Sequence, residues 1–578
     1  MTLRGDDARM PCPTPALDPA VRLLRLLHSV RHLRPGQILG RLWFRLYRPR
    51  PGVRNLPRLC LPAGPWASPA AREPILTVPG HACLLGQVHP IGQPGDWNHP
   101  RRDQLWLYHL HYFDDLNARR AGERADLHRA LIERWIAENP PFAGAGWEPY
   151  PSSLRLVNWL KWVLSGHRLA PHGALSLALQ ARWLQRRIEW HLLGNHLFVN
   201  AKALVYAGLC CQGVEADAWL GKGLGILRRQ LAEQVLADGG HCERSPMYHA
   251  LILEDLLDLL NLARAWGGGQ GRELPPRLAR DLAGAVAAWT GAAARMQGWL
   301  RTLSHPDGEI ALFNDAAQGL APTPAALHDY AGRLGLAPAA VPAPGLTHLA
   351  DTGYLRLDLA PALALLDCGA IGPDHQPGHA HADTLSFELS LWGRRLIVDS
   401  GTSRYGLGPE RLRQRGTAAH NTVEIDGLDS SEVWGGFRVA RRARPLGLRV
   451  RARPGELCVS CAHDGYRRLP GRPLHRRAWT LTQGGLLVRD EIQGRFRTAV
   501  ARLHLHPGVA AELDADGCGG RLRWDGRDLG WRTTGAAAVR VVPSSYHPRF
   551  GVSEPCVCIE LEFAGALAET RLTWPPEP

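Results

Sequence analysis

The chain has 578 residues, 45% of them hydrophobic and 21% charged, a balance that fits a globular protein and excludes a disordered, collagenous or coiled-coil chain. A chain this long outgrows a single hydrophobic core, so at least two domains are expected. The formal charge of +14 admits an anionic partner such as nucleic acid, anionic lipid or an acidic polysaccharide, but 65 of the 68 cations are arginine, a bias that genome composition alone can produce.

Twelve cysteines are too few for a disulfide scaffold in so long a chain. Cys458 and Cys461 form one CxxC without the second pair a zinc ribbon needs, and Cys556 and Cys558 are neighbours on one face of a strand. They read as ordinary thiols. The first residues, MTLRGDDARMPCPTPALDP, carry no charged-then-apolar signal pattern. No run reaches the length of about 20 apolar residues that a membrane helix needs. The expectation is a chain without a transmembrane segment or export address, cytoplasmic as written.

In chain order, Val21 to Pro51 is Arg-rich and amphipathic and ends in prolines that stop a helix. It reads as a helix packed on the main domain or lying on a membrane surface. Residues 52–100 are rich in Pro and Gly and read as an extended connector. From 101 to 335 apolar residues recur at helical spacing, for example in LRLVNWLKWVLSG and HALILEDLLDLLNLARAWG. Short Gly or Pro breaks between these runs predict stacked helical hairpins or a helical toroid. After a Pro-rich hinge, Ala337 to Pro344, the period changes to two in stretches such as TLSFELSLWGRRLIVDSG and RAWTLTQGGLLVRDEI. Residues 345–578 are therefore expected to form an antiparallel β-sandwich, making the fold class α+β and multidomain.

Four constellations carry chemistry. The first is Gly378-His-Ala-His-Ala-Asp383, followed by Asp399 and His420. On a strand, His379 and His381 would project from one face, and two histidines with a carboxylate are a donor set that suits zinc. A polar loop with surface histidines fits the same spacing. The second is Glu243-Arg-Ser-Pro-Met-Tyr248-His249. Ser245 suits an N-cap and Pro246 the first helical position, placing Tyr248 in the first turn, where the helix dipole favours a phenolate and a lowered pKa. A tyrosine that anchors a helix start reads the same way. The third is Asn195-His196, a polar pair where the pattern predicts core, which needs partners as a core pair or serves as a ligand site. The fourth, His504 and His506, alternates along a strand without a nearby carboxylate and reads as structural.

Asn195-His196, ERSPMYH with Tyr248, GHAHAD, VDSGTSRY and GTAAHNTV together, in this order, resemble the bacterial heparinase II/III-like polysaccharide lyases and the related alginate lyases over about residues 100 to 500. The resemblance implies an incomplete (α/α) toroid followed by a β-sandwich, and β-elimination at a uronic acid of an acidic polysaccharide in the cleft between them. It implies that Asn195, His196 and His379 bind the uronate carboxylate and that Tyr248 donates a proton to the departing oxygen. Tyr405 lies near where alginate-cleaving members carry a second tyrosine that acts as base. His381, Asp399 and His420 match the ligands of one structural zinc ion. Glu243 and Arg244 sit beside the tyrosine to orient it, and Arg155 and Asn158 line the sugar groove or serve helix packing. By family analogy the location is periplasmic. The Arg-rich N-terminal helix is not part of the degradative pattern and looks more like relatives found with exopolysaccharide synthesis machinery.

Two other readings compete with the lyase. A non-catalytic polysaccharide-binding protein would keep the fold without the chemistry. A toroid-type glycoside hydrolase would need two carboxylates flanking the bond, and Glu148, Glu243 and Asp315 offer no recognisable pair. Nucleic-acid binding has no motif to support it.

Overall fold

The computed structural model describes residues 19–267 and 272–575. The N-terminal run in which no signal pattern is visible lies outside them up to residue 18. Among the described residues, no helix is long and apolar enough to cross a membrane.

The Arg-rich stretch forms two helices instead of the one its pattern predicts, α1 (Pro19–Val30) and α2 (Pro35–Leu46). Pro35 lacks the N–H that would continue the first helix, and its fixed φ suits the first turn of the second. The connector then follows the helical half in extended form. Cys60 donates its N–H to the Cys210 carbonyl at 2.7 Å and Gly64 to that of Ala265 at 2.8 Å. At Gly64 a β-carbon would lie 2.2 Å from the Ala265 oxygen, so only glycine allows this approach. One short hairpin, His81–Leu84 with Gln87–Pro90, interrupts the connector.

The helical half consists of α3 (Gln104–Tyr112), α4 (Ala125–Glu138), α5 (Pro149–Leu164), α6 (Pro171–Leu184), α7 (Gly194–Cys210), α8 (Val214–Gln234), α9 (Pro246–Trp266), α10 (Pro276–Thr302) and α11 (Pro324–Arg333). These helices form an incomplete (α/α) toroid in which α7 packs against α5, α8 and α9. Almost every residue of α7 is buried, as expected of a helix that is apolar on all sides. Trp106, Trp135, Trp159, Trp219 and Trp289 belong to one continuous core of this half.

The β half begins with a five-stranded antiparallel sheet whose strands pair in chain order from Gly345–Leu349 to Arg394–Ile397. A short helix, α12 (Pro409–Arg415), precedes sheets of eight and four strands. Along Leu474–Thr482 every second residue from His475 onwards is buried apart from a doubled start at Leu474, the period-two signature of a strand with one face on a core. Phe387, Trp479, Trp531 and Ile559 meet in that core.

The halves are fastened by two kinds of contact. Trp299 and Leu303 of α10, with Phe313, pack against Tyr354, Leu363 and Leu365 of the first sheet. Beside them Arg395, 4% exposed, donates to Asp307 at 2.7 Å, to the Ile310 carbonyl at 2.8 Å and to Glu388 at 3.2 Å. Removing one partner from such a buried set leaves the other charges uncompensated. Arg395→Met is therefore expected to cost about 3–5 kcal/mol, read as a lower Tm in thermal unfolding; an unchanged Tm would show that this arginine does not fasten the halves.

Candidate active site

A cleft of about 680 Å³ opens where the two halves meet, lined among others by Asn158, Asn195, His196, Tyr248, His379 and Tyr405. They reach it from α5, α7, α9 and two loops of the β half. Ser245 caps α9 by accepting the Tyr248 N–H at 3.3 Å, and its own hydroxyl donates to the Asp315 carbonyl at 2.7 Å. This cap fixes Tyr248 in the first helical turn, as the sequence predicts. Asn195 and His196 occupy the first turn of α7, which starts at Gly194 with φ +50°. A β-carbon on Gly194 would lie 2.0 Å from Gln376 and 2.4 Å from Glu243; the close packing of these side chains requires glycine.

The hydroxyls of Tyr248 and Tyr405 are 3.2 Å apart. The His379 ring stacks on Tyr248 with centroids 3.8 Å apart. His379 is pinned from behind, Nδ1 donating to Asp315 at 3.0 Å while Nε2 lies 3.5 Å from Glu243. Asp315 is completely buried. It also accepts from His381 Nε2 at 2.8 Å and from both terminal nitrogens of Arg411, one of them at 2.7 Å. Burial alone would raise the Asp315 pKa, but the Arg411 guanidinium and the two histidines hold it well below the carboxylate range. The Arg411 guanidinium also lies over the Tyr405 ring, 4.8 Å from its centroid.

The tyrosines do not have the lowered pKa that the helix dipole suggested for Tyr248. Burial pushes both well above the usual phenol value, and the nearby Tyr405 and Asp315 raise Tyr248 further. Desolvation outweighs the half-charge of a helix end. Against burial and Asp315, Arg411 and the hydrogen bond from Tyr248 act to lower Tyr405. Either hydroxyl can donate in this hydrogen bond, and Arg411 favours a negative charge on Tyr405 against the burial that raises both.

Asn195 is buried and its carboxamide oxygen has no partner, while its backbone N–H donates to Glu243. Burial raises the Glu243 pKa, against His379 and that N–H. The ring of half-buried His196 lies tilted against Tyr150, centroids 4.4 Å apart, and contacts Glu189 at 3.2 Å. Burial opposes its charge, but Glu189 raises its pKa overall. The result is an imidazole whose surroundings favour protonation, beside an amide oxygen with no partner among the described residues.

Several expected positions are corrected by the structure. Arg155 does not line the groove; it is fully buried among helices, donating to Gln180 at 3.0 Å and lying 3.7 Å over the Trp135 ring. Arg244 does not orient Tyr248; its guanidinium donates to the carbonyls of Ala370 and Asp351 across the domain boundary. Asn158 lines the cleft, but its amide is committed to the Tyr112 carbonyl at 2.9 Å and Asp114 at 2.8 Å. His379 and His381 lie in a loop and not on a strand, as do Asp399 and His420; the two imidazoles face one side because both bind Asp315. His504 is satisfied by Ser544 and the Ala418 carbonyl, as a structural residue is. Asp315 and Arg411 were not legible as site residues, being 64 to 96 positions from their partners.

Of the three carboxylates a glycoside hydrolase would use, two are engaged elsewhere, and Glu243 keeps Oε2 buried without a hydrogen-bond partner among the described residues. Glu148 bonds Tyr108, Glu243 faces His379 and the start of α7, and Asp315 is locked in its ion pairs. At the imidazoles of the expected zinc set, His381 Nδ1 and His420 Nε2 are buried without partners and the ring centroids are 5.3 Å apart. His420 Nδ1 donates to Asp399 at 2.7 Å. Among the described residues no three His, Cys, Asp or Glu side chains converge on one ion.

The comparisons with known proteins fit this geometry. The heparinase II/III N-terminus model matches residues 172–323 and the heparinase II/III-like C-terminal model residues 341–574. The chain belongs to the heparinase II/III-like family. By family it is a polysaccharide lyase. Its relatives include FtsZ-localized protein C of Caulobacter vibrioides, 26% identical over 86% of this chain and 85% of that protein. A heparin-sulfate lyase of Bacteroides stercoris is 27% identical over 41% of this chain and 37% of its own length. The crystal structure of heparinase III superposes with a TM-score of 0.66 at 18% identity, covering 99% of this chain and 88% of that one. Heparan sulfate lyase HepC from Pedobacter heparinus gives 0.54 at 16%, covering 94% and 88%. At these identities the structures establish the shared family fold of toroid and sandwich.

Asp315 touches no cleft-facing group except His379, so it acts as a positioning residue. Asp315→Asn is expected to lower kcat on a cleaved polymer by about 10- to 100-fold with little change in KM, and to lower Tm because Arg411 loses its anion. Steady-state kinetics beside a thermal melt test this; an unaltered kcat would show that His379 is placed without it.

Proposed function

We propose that the chain cleaves a uronate-containing acidic polysaccharide, of the capsule, exopolysaccharide or glycosaminoglycan-like kind, by β-elimination. The observation that carries this reading is the tyrosine pair, two hydroxyls 3.2 Å apart in the cleft with His379 stacked on one of them. Elimination needs a proton removed next to a carboxylate and a proton delivered to the departing glycosidic oxygen. Removal becomes feasible when the carboxylate's charge is offset by preorganised donors. Asn195, His196, whose protonation Glu189 favours, and His379 are the groups available for that task.

In this reading the Tyr405 phenolate takes the proton alpha to the carboxylate. The resulting electron pair forms the new carbon–carbon double bond as the glycosidic carbon–oxygen bond breaks. Tyr248 gives its proton to the leaving oxygen. The proton now on Tyr405 passes to the Tyr248 phenolate across their hydrogen bond, which restores the starting state without an outside acid. Arg411 beside Tyr405 favours the phenolate that begins the cycle.

With Glu148 and Asp315 engaged, Glu243 has no second free carboxylate to pair with, which favours elimination over glycoside hydrolysis, and the intact tyrosine pair favours catalysis over binding alone. Tyr248→Phe is expected to lower turnover by at least about 100-fold while polymer binding persists. Assays across alginate, heparan sulfate, hyaluronate and bacterial exopolysaccharides should yield an ultraviolet-absorbing unsaturated uronate from at least one. Reducing ends without that absorbance would mean hydrolysis and overturn the reading. Because burial holds Tyr405 above the ordinary phenol value, its phenolate is scarce at neutrality. The value of kcat/KM should therefore climb from about pH 7 to about pH 9, and a flat profile would exclude Tyr405 as the base.

We further propose that His381, Asp399 and His420 hold a structural zinc ion. His381 gives Nε2 to Asp315 and leaves Nδ1 buried and without a partner among the described residues, the tautomeric arrangement in which histidines bind metals, and His420 leaves Nε2 likewise. Asp399, which accepts from His420 Nδ1, would reach the ion only by giving up that hydrogen bond. Burial disfavours a charge on His420, yet Asp399 raises its pKa to about 9, so these surroundings favour a cation. When bound, the ion would crosslink the loops behind His379 and would not activate water. Metal analysis of the purified protein is expected to find about one zinc per chain, and His381→Ala to lower both metal content and Tm. A metal-free protein with an unaffected variant would overturn the assignment.

A further inference from the structure

The two N-terminal helices have no role in the proposed chemistry, and their surface differs from the rest of the molecule. On α1 the residues Leu23, Leu26, Leu27 and Val30 recur at helical spacing on one face and all stand in solvent. The opposite side provides the attachment. Arg25 lies 3.8 Å from Glu432, and Ser29 donates to the Val439 carbonyl and accepts from Trp434 Nε1, both at 3.1 Å. On α2 the residues Leu39, Leu42, Trp43 and Leu46 repeat the same spacing and are 55–81% exposed. The other side of α2 faces inward, Gln37 donating to the His375 carbonyl at 3.1 Å and the Phe44 ring lying 3.4 Å under the Arg187 guanidinium. Both helices are thus firmly seated, each with its apolar stripe turned outward. A leucine-rich face exposed on two consecutive anchored helices marks an interaction site.

The charge around these stripes identifies the partner. Between Asp18 and Glu73 the sequence has eleven arginines and no acidic residue. Arg22, Arg31, Arg41, Arg45, Arg48 and Arg50 are all exposed, and among the described residues none forms an ion pair with an acidic side chain. Trp43 stacks on Tyr47 at 4.9 Å, and half-exposed Trp190 lines the same shallow depression as these two rings, together with Arg186, Arg187 and Lys222. Leucine stripes flanked by unpaired arginines, with tryptophan and tyrosine at the margin, match the surface of a bilayer rich in anionic headgroups. Acyl chains accept the leucines, the interface accepts the aromatic rings, and anionic headgroups accept the arginines. A second copy of this chain is a poorer fit, because a two-fold contact would bring these arginines against their own equivalents.

We infer that α1 and α2 dock the protein peripherally on an anionic membrane surface. Because Gln37 and Arg41 of α2 also line the catalytic cleft, the docked helices would hold the cleft beside the bilayer. The surface itself is independent of which polymer the cleft takes.

The test is co-sedimentation of the full chain with vesicles of phosphatidylcholine alone and of phosphatidylcholine with phosphatidylglycerol. About tenfold more protein is expected to pellet with the anionic vesicles, falling as salt is raised. The double variant Leu39→Glu and Trp43→Glu is expected to lose sedimentation, and Arg45→Glu with Arg48→Glu to weaken it. Both should keep the parent's Tm and its activity on soluble polymer, since none of the four side chains reaches the cleft. Equal pelleting with both vesicle types, none with either, or variants that pellet like the parent would overturn the inference. So would a concentration-dependent dimer, abolished by Leu39→Glu and Trp43→Glu, in a protein that ignores vesicles.

Discussion

The site depends on one buried anion. Asp315 sits without solvent contact between the toroid and the sandwich, and its charge is tolerable only because Arg411, His379 and His381 surround it. In a low-dielectric interior an unpaired carboxylate would take up a proton or expel the packing around it. With its partners it does the reverse and draws them together. The Asp315 backbone joins in, since its N–H donates to the His379 carbonyl and its carbonyl accepts from Ser245, the cap of the helix that carries Tyr248. A single residue from the loop after α10 thus sets the positions of Tyr248, of His379 and, through Arg411, of Tyr405.

That arrangement explains why the cleft needs both halves of the chain. Asn195, His196 and Tyr248 stand at helix N-termini of the toroid, while His379 and Tyr405 lie on loops of the sandwich half. The Ser245 cap holds the start of α9, and the loop that carries His379 gains equivalent rigidity from buried ion pairs. The apolar seam of Trp299, Phe313 and Leu365 with the Arg395 cluster keeps the two sets in register. Desolvation follows from the same packing, and it makes both tyrosines reluctant to ionise, with the arginine beside Tyr405 acting against it there.

The distribution of charge separates recognition from net charge. Inside the cleft Lys161, Lys202 and Arg72 are bound to Asp258, Asp255 and Glu254; they stiffen the wall and leave little free charge for a polyanion. Exposed arginines without an acidic partner among the described residues stand on the N-terminal helices, but also on the toroid, as at Arg168 and Arg228, and on the sandwich, as at Arg449 and Arg521. The excess positive charge is thus spread over the outer surface, and recognition in the cleft rests on a few placed neutral and titratable groups.

Local pattern was sufficient for much of this protein. The change from helical to two-residue period marks the two halves, and Ser245-Pro246 marks the helix start that presents Tyr248, because periodicity and capping depend on neighbours in sequence. Motif blocks in order located Asn195, His196, His379 and Tyr405. Tertiary structure alone decided what each group contacts. It withdrew Arg155 into a helical core and Arg244 to the domain boundary, raised the tyrosines where a helix dipole suggested lowering, and joined Asp315 to Arg411 across 96 positions. Burial and long-range ion pairing are properties of the packed chain, and no local stretch of sequence encodes which distant charge will share its cavity.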